Sequence, residues 1–315
     1  MIYLFSGFLF SVLAVISVFI FQRWQRKKIV DLLRMELFLV KLPMQSKEGK
    51  DLKKEVALFE QLVGNLATFK KPFVFEAAVP HVGEEICFYV SVPARVGEAL
   101  TRQVHALWGG AEVEKVPDYN IFNATGTTAG AYLDLARRFL LPIRTYQEID
   151  ADTFQPILGG LAKIKELGEG GAVQVVISPK APKRVRREVE STVMVLKKGW
   201  KLKDALQRSI TFGQVVEAFD PRATDRKIKE MKEPPMAPKA IEDLAIKAIE
   251  RKASKPLFEV NIRILASAPN NFQTEDILNS LSAGFAQFGA VEYNEFKLIK
   301  ARNVHDVVHK FSYSE

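Results

Sequence analysis

Cysteine is almost absent from this sequence. Its 315 residues include a single cysteine, Cys87, so no disulfide can form within one chain. A lone cysteine fits a reducing compartment. Cys87 lies within the apolar run of residues 86–90. We therefore predict a buried structural thiol rather than a nucleophile.

Signatures of catalysis and nucleotide binding are also missing. No Gly-x-x-x-x-Gly-Lys-Ser/Thr sequence occurs, which excludes a P-loop, and the glycine-rich stretches 126–130 and 168–171 predict turns. Two of the four histidines, His305 and His309, are four residues apart, but no third metal ligand lies nearby in the sequence. No Ser/His/Asp pattern stands out. The sequence predicts a protein that is not an enzyme and that has no cofactor and no metal ion.

Residues 2–21 contain no charged residue. As an α-helix, such a run spans about 30 Å, the thickness of the hydrocarbon core of a bilayer. An aromatic and cationic cluster typical of a membrane interface follows it, formed by Arg23, Trp24, Arg26, Lys27 and Lys28. We predict a transmembrane anchor over residues 1–28, with the lipid bilayer as a partner.

The orientation of this anchor follows from its flanks. No basic residue precedes the run, so the positive-inside rule predicts an N-terminus outside and a cytoplasmic body. The alternative is a cleaved signal peptide, but the run lacks both a basic n-region and a small-residue cleavage site.

Positive charge is concentrated in two segments. The formal net charge is +8, and residues 180–208 alone contain ten Lys/Arg and three acidic residues. Residues 22–34 contain five Lys/Arg and one aspartate. The rest of the chain is therefore slightly acidic.

Hydrophobic patterning predicts an α+β protein with two ferredoxin-like domains. Over residues 36–119 strands and helices alternate in the order β-α-β-β-α-β, which is typical of that fold. A similar pattern restarts after the polar connector 120–130 and extends over residues 131–300, followed by a tail at 301–315. The segment around Trp108 and Gly109 resembles that around Phe288 and Gly289, which indicates a repeat.

The second predicted domain contains an insertion at residues 180–255. It begins with an amphipathic helix over 182–198 and includes a Pro-rich linker at 219–239. Basic residues surround the apolar stripe of that helix: Lys183, Arg184, Arg186, Arg187, Lys197, Lys198 and Lys201. They are candidates for binding a partner protein, nucleic acid or anionic lipid, and they also fit a solvated outer face.

Several strand and turn sequences resemble a known family. Residues 80–90, 118–123 and 126–133 are similar to the N-terminal region of membrane-anchored proteins of the conjugative-transfer, type IV secretion coupling-ATPase group of small-genome uncultivated bacteria. Residues 258–263, 266–269 and 285–288 are similar to a later block of that region. The resemblance covers about residues 36–311. In that group a P-loop ATPase domain follows this region. No nucleotide-binding residue can be carried over, because no matching position exists here.

The resemblance implies a membrane-anchored cytoplasmic scaffold at the bacterial inner membrane, working with a P-loop ATPase or a secretion-complex subunit. Either a separate chain supplies the ATPase or this chain is a split copy. A second copy of the chain is a further candidate partner. The alternative function is a membrane-tethered nucleic-acid-binding protein that uses the basic insertion.

Overall fold

The computed structural model describes residues 35–43, 52–82, 85–149, 151–164, 166–179, 185–206 and 240–312. The first half of the fold contains β1 (Met35–Lys41), α1 (Leu52–Ala67), β2 (Phe73–Val79), β3 (Cys87–Pro93), α2 (Gly97–Leu107) and β4 (Glu112–Val116). The predicted order of these elements is confirmed, and the apolar run that predicts the second strand, residues 73–79, has the observed bounds of β2.

The second half begins after the connector. It contains β5 (Thr127–Leu135), α3 (Gln155–Leu161), β6 (Gly170–Ser178), α4 (Val185–Lys197), α5 (Ala240–Ala253), β7 (Glu259–Ala268), α6 (Asn271–Ala283), β8 (Phe296–Lys300) and α7 (Val304–Ser312). Two single turns of 3-10 helix, Ala94–Val96 and Ala286–Phe288, precede α2 and follow α6. Helix α7 was not predicted from the sequence.

All eight strands form one antiparallel sheet in the order β4-β1-β3-β2-β6-β7-β5-β8. The two halves have the same strand order when each is counted from its outer edge to the centre: β4-β1-β3-β2 in the first half and β8-β5-β7-β6 in the second. The halves join where β2 pairs with β6 over seven residues, from Phe73 opposite Ile177 to Val79 opposite Gly171. Backbone hydrogen bonds therefore connect neighbouring strands continuously from β4 at one edge of the sheet to β8 at the other.

The predicted fold class, an N-terminal transmembrane helix followed by two ferredoxin-like domains, was wrong about the two domains. The strands form one continuous sheet, because the free edges of the two halves satisfy each other's backbone groups. Among the described residues, no helix is long and apolar enough to cross a bilayer. The run 2–21, to which the anchor was assigned, lies outside the described residues.

Four helices cover one face of the sheet. Helices α1 and α2 pack on the first half, where Leu62, Leu66, Leu100 and Val104 are buried. Helices α3 and α6 pack on the second half through Ile157, Leu161, Ile277 and Leu281. Trp108 is buried in the first half and donates from Nε1 to Glu55 at 3.1 Å, whereas Phe288 in the second half is half-buried. We call this side of the sheet the helical face.

The opposite face carries α7 and the connector between the halves. Tyr89, Ile121 and Leu265 are buried there together with Phe311 of α7. Tyr119 stacks on Tyr89 with ring centroids 4.3 Å apart and an angle of 5° between the ring planes. This second face also contains the buried polar groups of the sheet centre.

Candidate functional site

The structure locates only some of the residues that the sequence singled out. The predicted membrane-interface residues Arg23, Trp24, Arg26, Lys27 and Lys28 lie outside the described residues, as do Lys183 and Arg184. Arg186 is a residue of α4. The side chains of Arg187, Lys197, Lys198 and Lys201 are exposed at the surface of the insertion.

The apolar stripe of α4 is buried inside the insertion itself. Val185, Val189, Val193 and Leu196 pack with Ala245, Ile246 and Ile249 of α5 and with Leu140 and Leu141. The described part of the insertion therefore has its own small core. Because the stripe is buried, the charged outer surface is the part of the described insertion that a partner can contact.

Polar contacts fix this small core to the sheet. Arg138, just after β5, donates to Glu188 of α4 at 2.8 Å and to the carbonyl oxygen of Leu206 at 3.2 Å. Lys252 of α5 donates to the carbonyl oxygen of Phe139, and burial lowers the pKa of Lys252 to about 8. The insertion is thus held in a defined orientation.

Its outer surface is basic. Within the described residues, Arg187, Lys198, Lys201 and Lys203 are exposed and have no carboxylate within ion-pair distance. Lys197 differs, because its Nζ atom lies 2.8 Å from Glu250 of α5. Four unpaired cations on a rigid helical surface can bind an acidic protein or a phosphate backbone.

A second site lies at the centre of the sheet, where Glu76, Gln174 and Arg263 are nearest neighbours on β2, β6 and β7. We call these three residues the polar row. All three are buried, with exposed fractions of 6%, 0% and 3%. The polar row crosses the joint between the two halves.

Hydrogen bonds connect the polar row to its surroundings. Gln174 Nε2 donates to Glu76 Oε1 at 3.0 Å, and Arg263 donates to Gln174 Oε1 at 2.9 Å. Tyr119 donates its hydroxyl proton to Glu76 Oε2 at 2.5 Å. The network therefore links both halves and the segment between β4 and β5.

The polar row also holds the C-terminal helix. Gln174 donates to the carbonyl oxygen of Phe311 at 3.1 Å, and Arg263 donates to that of Lys310 at 2.7 Å. These carbonyl groups lie at the negative end of the α7 dipole, where a guanidinium group is favourable. The polar row thus serves as a seat for the end of a helix.

Burial dominates the electrostatics of this site. It raises the pKa of Glu76, and the hydrogen bonds from Tyr119 and Gln174 oppose this shift only in part. Burial, followed by the nearby Glu76 carboxylate, also holds the pKa of Tyr119 well above its ordinary value. A carboxyl group with a raised pKa in the interior is a candidate functional group.

An open groove of about 690 Å³ lies beside α7 on the same face. It is lined by Tyr132, Ser178, Glu259, Asn261, Asp306 and Lys310. Asp306 and Lys310 are already paired at 2.8 Å within α7. Among the residues described, no three His, Cys, Asp or Glu side chains are placed to hold a metal ion.

The polar row was missed in the sequence, although a signal exists. Glu76, Gln174 and Arg263 each interrupt an otherwise apolar strand, at 73–79, 172–177 and 262–266. A charged residue inside an apolar strand is expected to have a partner, because an unpaired buried charge is costly. The sequence cannot identify that partner, since the residues lie 98 and 89 positions apart.

Comparison with known proteins found one family. No curated protein matched the chain. The family model matches residues 70–298, from just before β2 into β8, which is more than half of the 315 residues. The chain therefore belongs to the family described as Domain of unknown function (DUF8128).

Proposed function

We propose that the protein is a non-catalytic scaffold that binds a partner protein through the basic surface of its helical insertion. The main observation behind this proposal is that the insertion is firmly attached to the sheet and exposes cations that have no carboxylate partner among the described residues. Arg138 and Lys252 fix the insertion to the sheet, while Arg187, Lys198, Lys201 and Lys203 point outward without carboxylate partners among the described residues.

The partner that fits this surface is an acidic face of another protein. The sequence resemblance favours a P-loop ATPase or a subunit of a type IV secretion-like complex. Exposed Met194 on α4, with 47% of its surface accessible, adds an adaptable apolar contact among the cations. Met and Arg are enriched in protein interfaces, and Met194 and Arg187 are exposed on this surface.

Site-specific photo-crosslinking in cells tests this proposal. A photoreactive residue at Arg187 or at Lys201 should crosslink to one discrete protein, whereas the same residue at exposed Arg95 on the opposite half should not. With the photoreactive residue in place, charge reversal of the other three cations to Glu should abolish the product. Crosslinks of equal yield at Arg95 would contradict the proposal.

Nucleic-acid binding is the second candidate, and it rests on the same four cations. If duplex DNA is the ligand, affinity should fall with salt with a slope of about −0.9 for each phosphate contacted. Filter binding at low and moderate salt measures that slope. Tight DNA binding at moderate salt that is lost on charge reversal would favour this candidate over the scaffold.

A further inference from the structure

Three loops at one end of the sheet expose large apolar side chains. Strands β2 and β7 end there, and β3, β5 and β6 begin there. Val82, Leu167 and Phe272 are 70%, 86% and 81% exposed. We call these three residues the apolar tip. Large apolar groups gathered at one surface mark an interaction site more often than scattered single residues do.

Hydrogen bonds between the three loops hold the apolar tip together. The amide of Gly168 donates to the carbonyl oxygen of His81 at 3.1 Å, which joins the loops of Leu167 and Val82. Gln273 Nε2 donates to Glu166 Oε2 at 3.1 Å, which joins the loops of Phe272 and Leu167. Gly168 has a φ of +93°, a conformation that favours glycine. The loops are therefore built into one surface.

The surroundings of the apolar tip are acidic. Glu85, Glu166 and Asp276 are exposed on the same loops and on the first turns of α6. Among the described residues of 80–86, 162–169 and 268–276, these three exposed carboxylates stand against one exposed lysine, Lys163. An anionic bilayer would repel this surface, whereas a basic protein surface would attract it.

A basic surface of this kind lies at the opposite end of the same strands. The insertion leaves the sheet after Ser178 and returns at Glu259, so it is separated from the tip by the nine residues of β6, about 30 Å. Arg187 and Met194 on α4 are exposed, as is Lys198 directly after its last residue, and the three are spaced seven and four residues apart. This spacing places them on one side of the helix, which we call the basic face.

We propose that the apolar tip of one copy docks on the basic face of α4 in a second copy. The proposal rests on the proposed function in one respect, because it takes the insertion as a protein-docking surface. Glu85, Glu166 and Asp276 then face Arg187 and Lys198, and Leu167 and Phe272 pack against Met194. The two surfaces differ and lie at opposite ends, so a chain of docked copies always has a free apolar tip at one end and a free basic face at the other. Such head-to-tail contacts produce a filament, or a ring if the two ends meet.

Complementation between two variants tests this head-to-tail contact. The tip variant carries Leu167→Lys and Phe272→Lys, and the face variant carries Arg187→Glu and Lys198→Glu. Leu42→Lys is the control for the tip variant, and Arg95→Glu combined with Arg102→Glu is the control for the face variant. All three control positions are exposed. The full chain is studied in a non-ionic detergent, because residues 2–21 are uncharged and apolar. Sedimentation velocity reports the mass relative to the 35.5 kDa protomer.

We expect the wild type and the controls to grow in mass with concentration, and each variant alone to stay a monomer. Mixed, the two variants should form a one-to-one dimer that does not grow further, because one tip and one basic face remain intact. This restoration also shows that both variants are folded. A monomeric wild type, assembly of either variant alone, or a mixture that stays monomeric would overturn the proposal.

The result also separates this proposal from the scaffold function. If Arg187 still crosslinks to a different protein while the wild type remains a monomer, the self-association fails and the scaffold stands. If the tip variant loses binding to zwitterionic vesicles while the wild type is a monomer in detergent, the apolar tip serves a lipid surface and the self-association fails.

Discussion

Glu76 is a carboxyl group buried at the centre of an eight-stranded sheet, and its ionisation should affect the stability of the whole protein. Burial raises its pKa in the folded state above the ordinary value of 4.5. The folded state therefore holds this proton more tightly than the unfolded state does. The contribution of Glu76 to the free energy of unfolding is full below about pH 4.5 and decreases as the pH rises through the folded-state pKa.

We expect Glu76→Gln to remove this pH dependence. Glutamine keeps the shape and can still accept from Tyr119, but it does not ionise. The free energy of unfolding of the variant relative to wild type, measured by urea denaturation from pH 4 upward, should therefore increase with pH. The exposed Glu85→Gln serves as the control and should show no such trend. A constant difference across the pH range would show that Glu76 does not titrate there.

At the scale of single elements, α4 depends on a core that it shares with α5. Val189 is 8% exposed and packs within that core, whereas Met194 on the same helix is 47% exposed. An aspartate at position 189 would place a charge among aliphatic side chains. We expect Val189→Asp to destabilise the insertion by about 3 kcal/mol or more, and Met194→Asp to have a much smaller effect.

Hydrogen exchange locates this loss. In Val189→Asp, amides of α4 and α5 should exchange faster, while those of β2 and β6 should stay protected, because the insertion core is separate from the sheet core. Equal loss of protection in the sheet would show that the insertion and the sheet fold as one unit.

Two glycines in regular elements should respond to alanine in opposite directions. A Cβ atom on Gly170 at the start of β6 would lie 2.1 Å from the carbonyl oxygen of Ile121, which is backbone and cannot move aside easily. We expect Gly170→Ala to destabilise the protein by about 1–3 kcal/mol. Gly64 in α1 has no neighbour within 4 Å of such an atom, so Gly64→Ala should stabilise it by about 0.5–1 kcal/mol. Thermal and urea denaturation of both variants give the comparison, and a stable Gly170→Ala would show that the connector shifts freely.

At the scale of the whole molecule, the joint between β2 and β6 should make the two halves unfold together. Seven residue pairs and the polar row cross this joint, and the buried Gln174 bonds to groups on both sides of it. We expect one denaturation transition, with the amides of β1 and β3 losing protection at the same denaturant concentration as those of β5 and β7. Two separate transitions would show that the halves behave as independent domains despite the shared sheet.

Local patterning in the sequence determined most elements of this fold. Apolar runs predicted β2 at its observed bounds and β3 and β6 to within a few residues, because a strand buried on both faces is apolar along most of its length. Apolar residues that recur every three to four positions predicted α2. The stripe Val185, Val189, Val193 and Leu196 correctly predicted that one side of α4 is buried. Weaker patterns were less accurate: the sequence of residues 147–166 favours one long helix, but the α-helix in this region spans Gln155–Leu161.

Tertiary structure alone decided how these elements combine. The pairing of β2 with β6 depends on backbone hydrogen bonds, which leave no pattern in side chains, so the sequence could not distinguish one sheet from two. The stripe of α4 indicated burial but not the partner, which is α5 rather than the sheet. The hydrogen bonds of the polar row join residues 98 and 89 positions apart, and α7 is held through carbonyl groups at its end. Contacts of this kind arise only when the chain is folded, because they depend on which surfaces meet and not on which residues are neighbours in sequence.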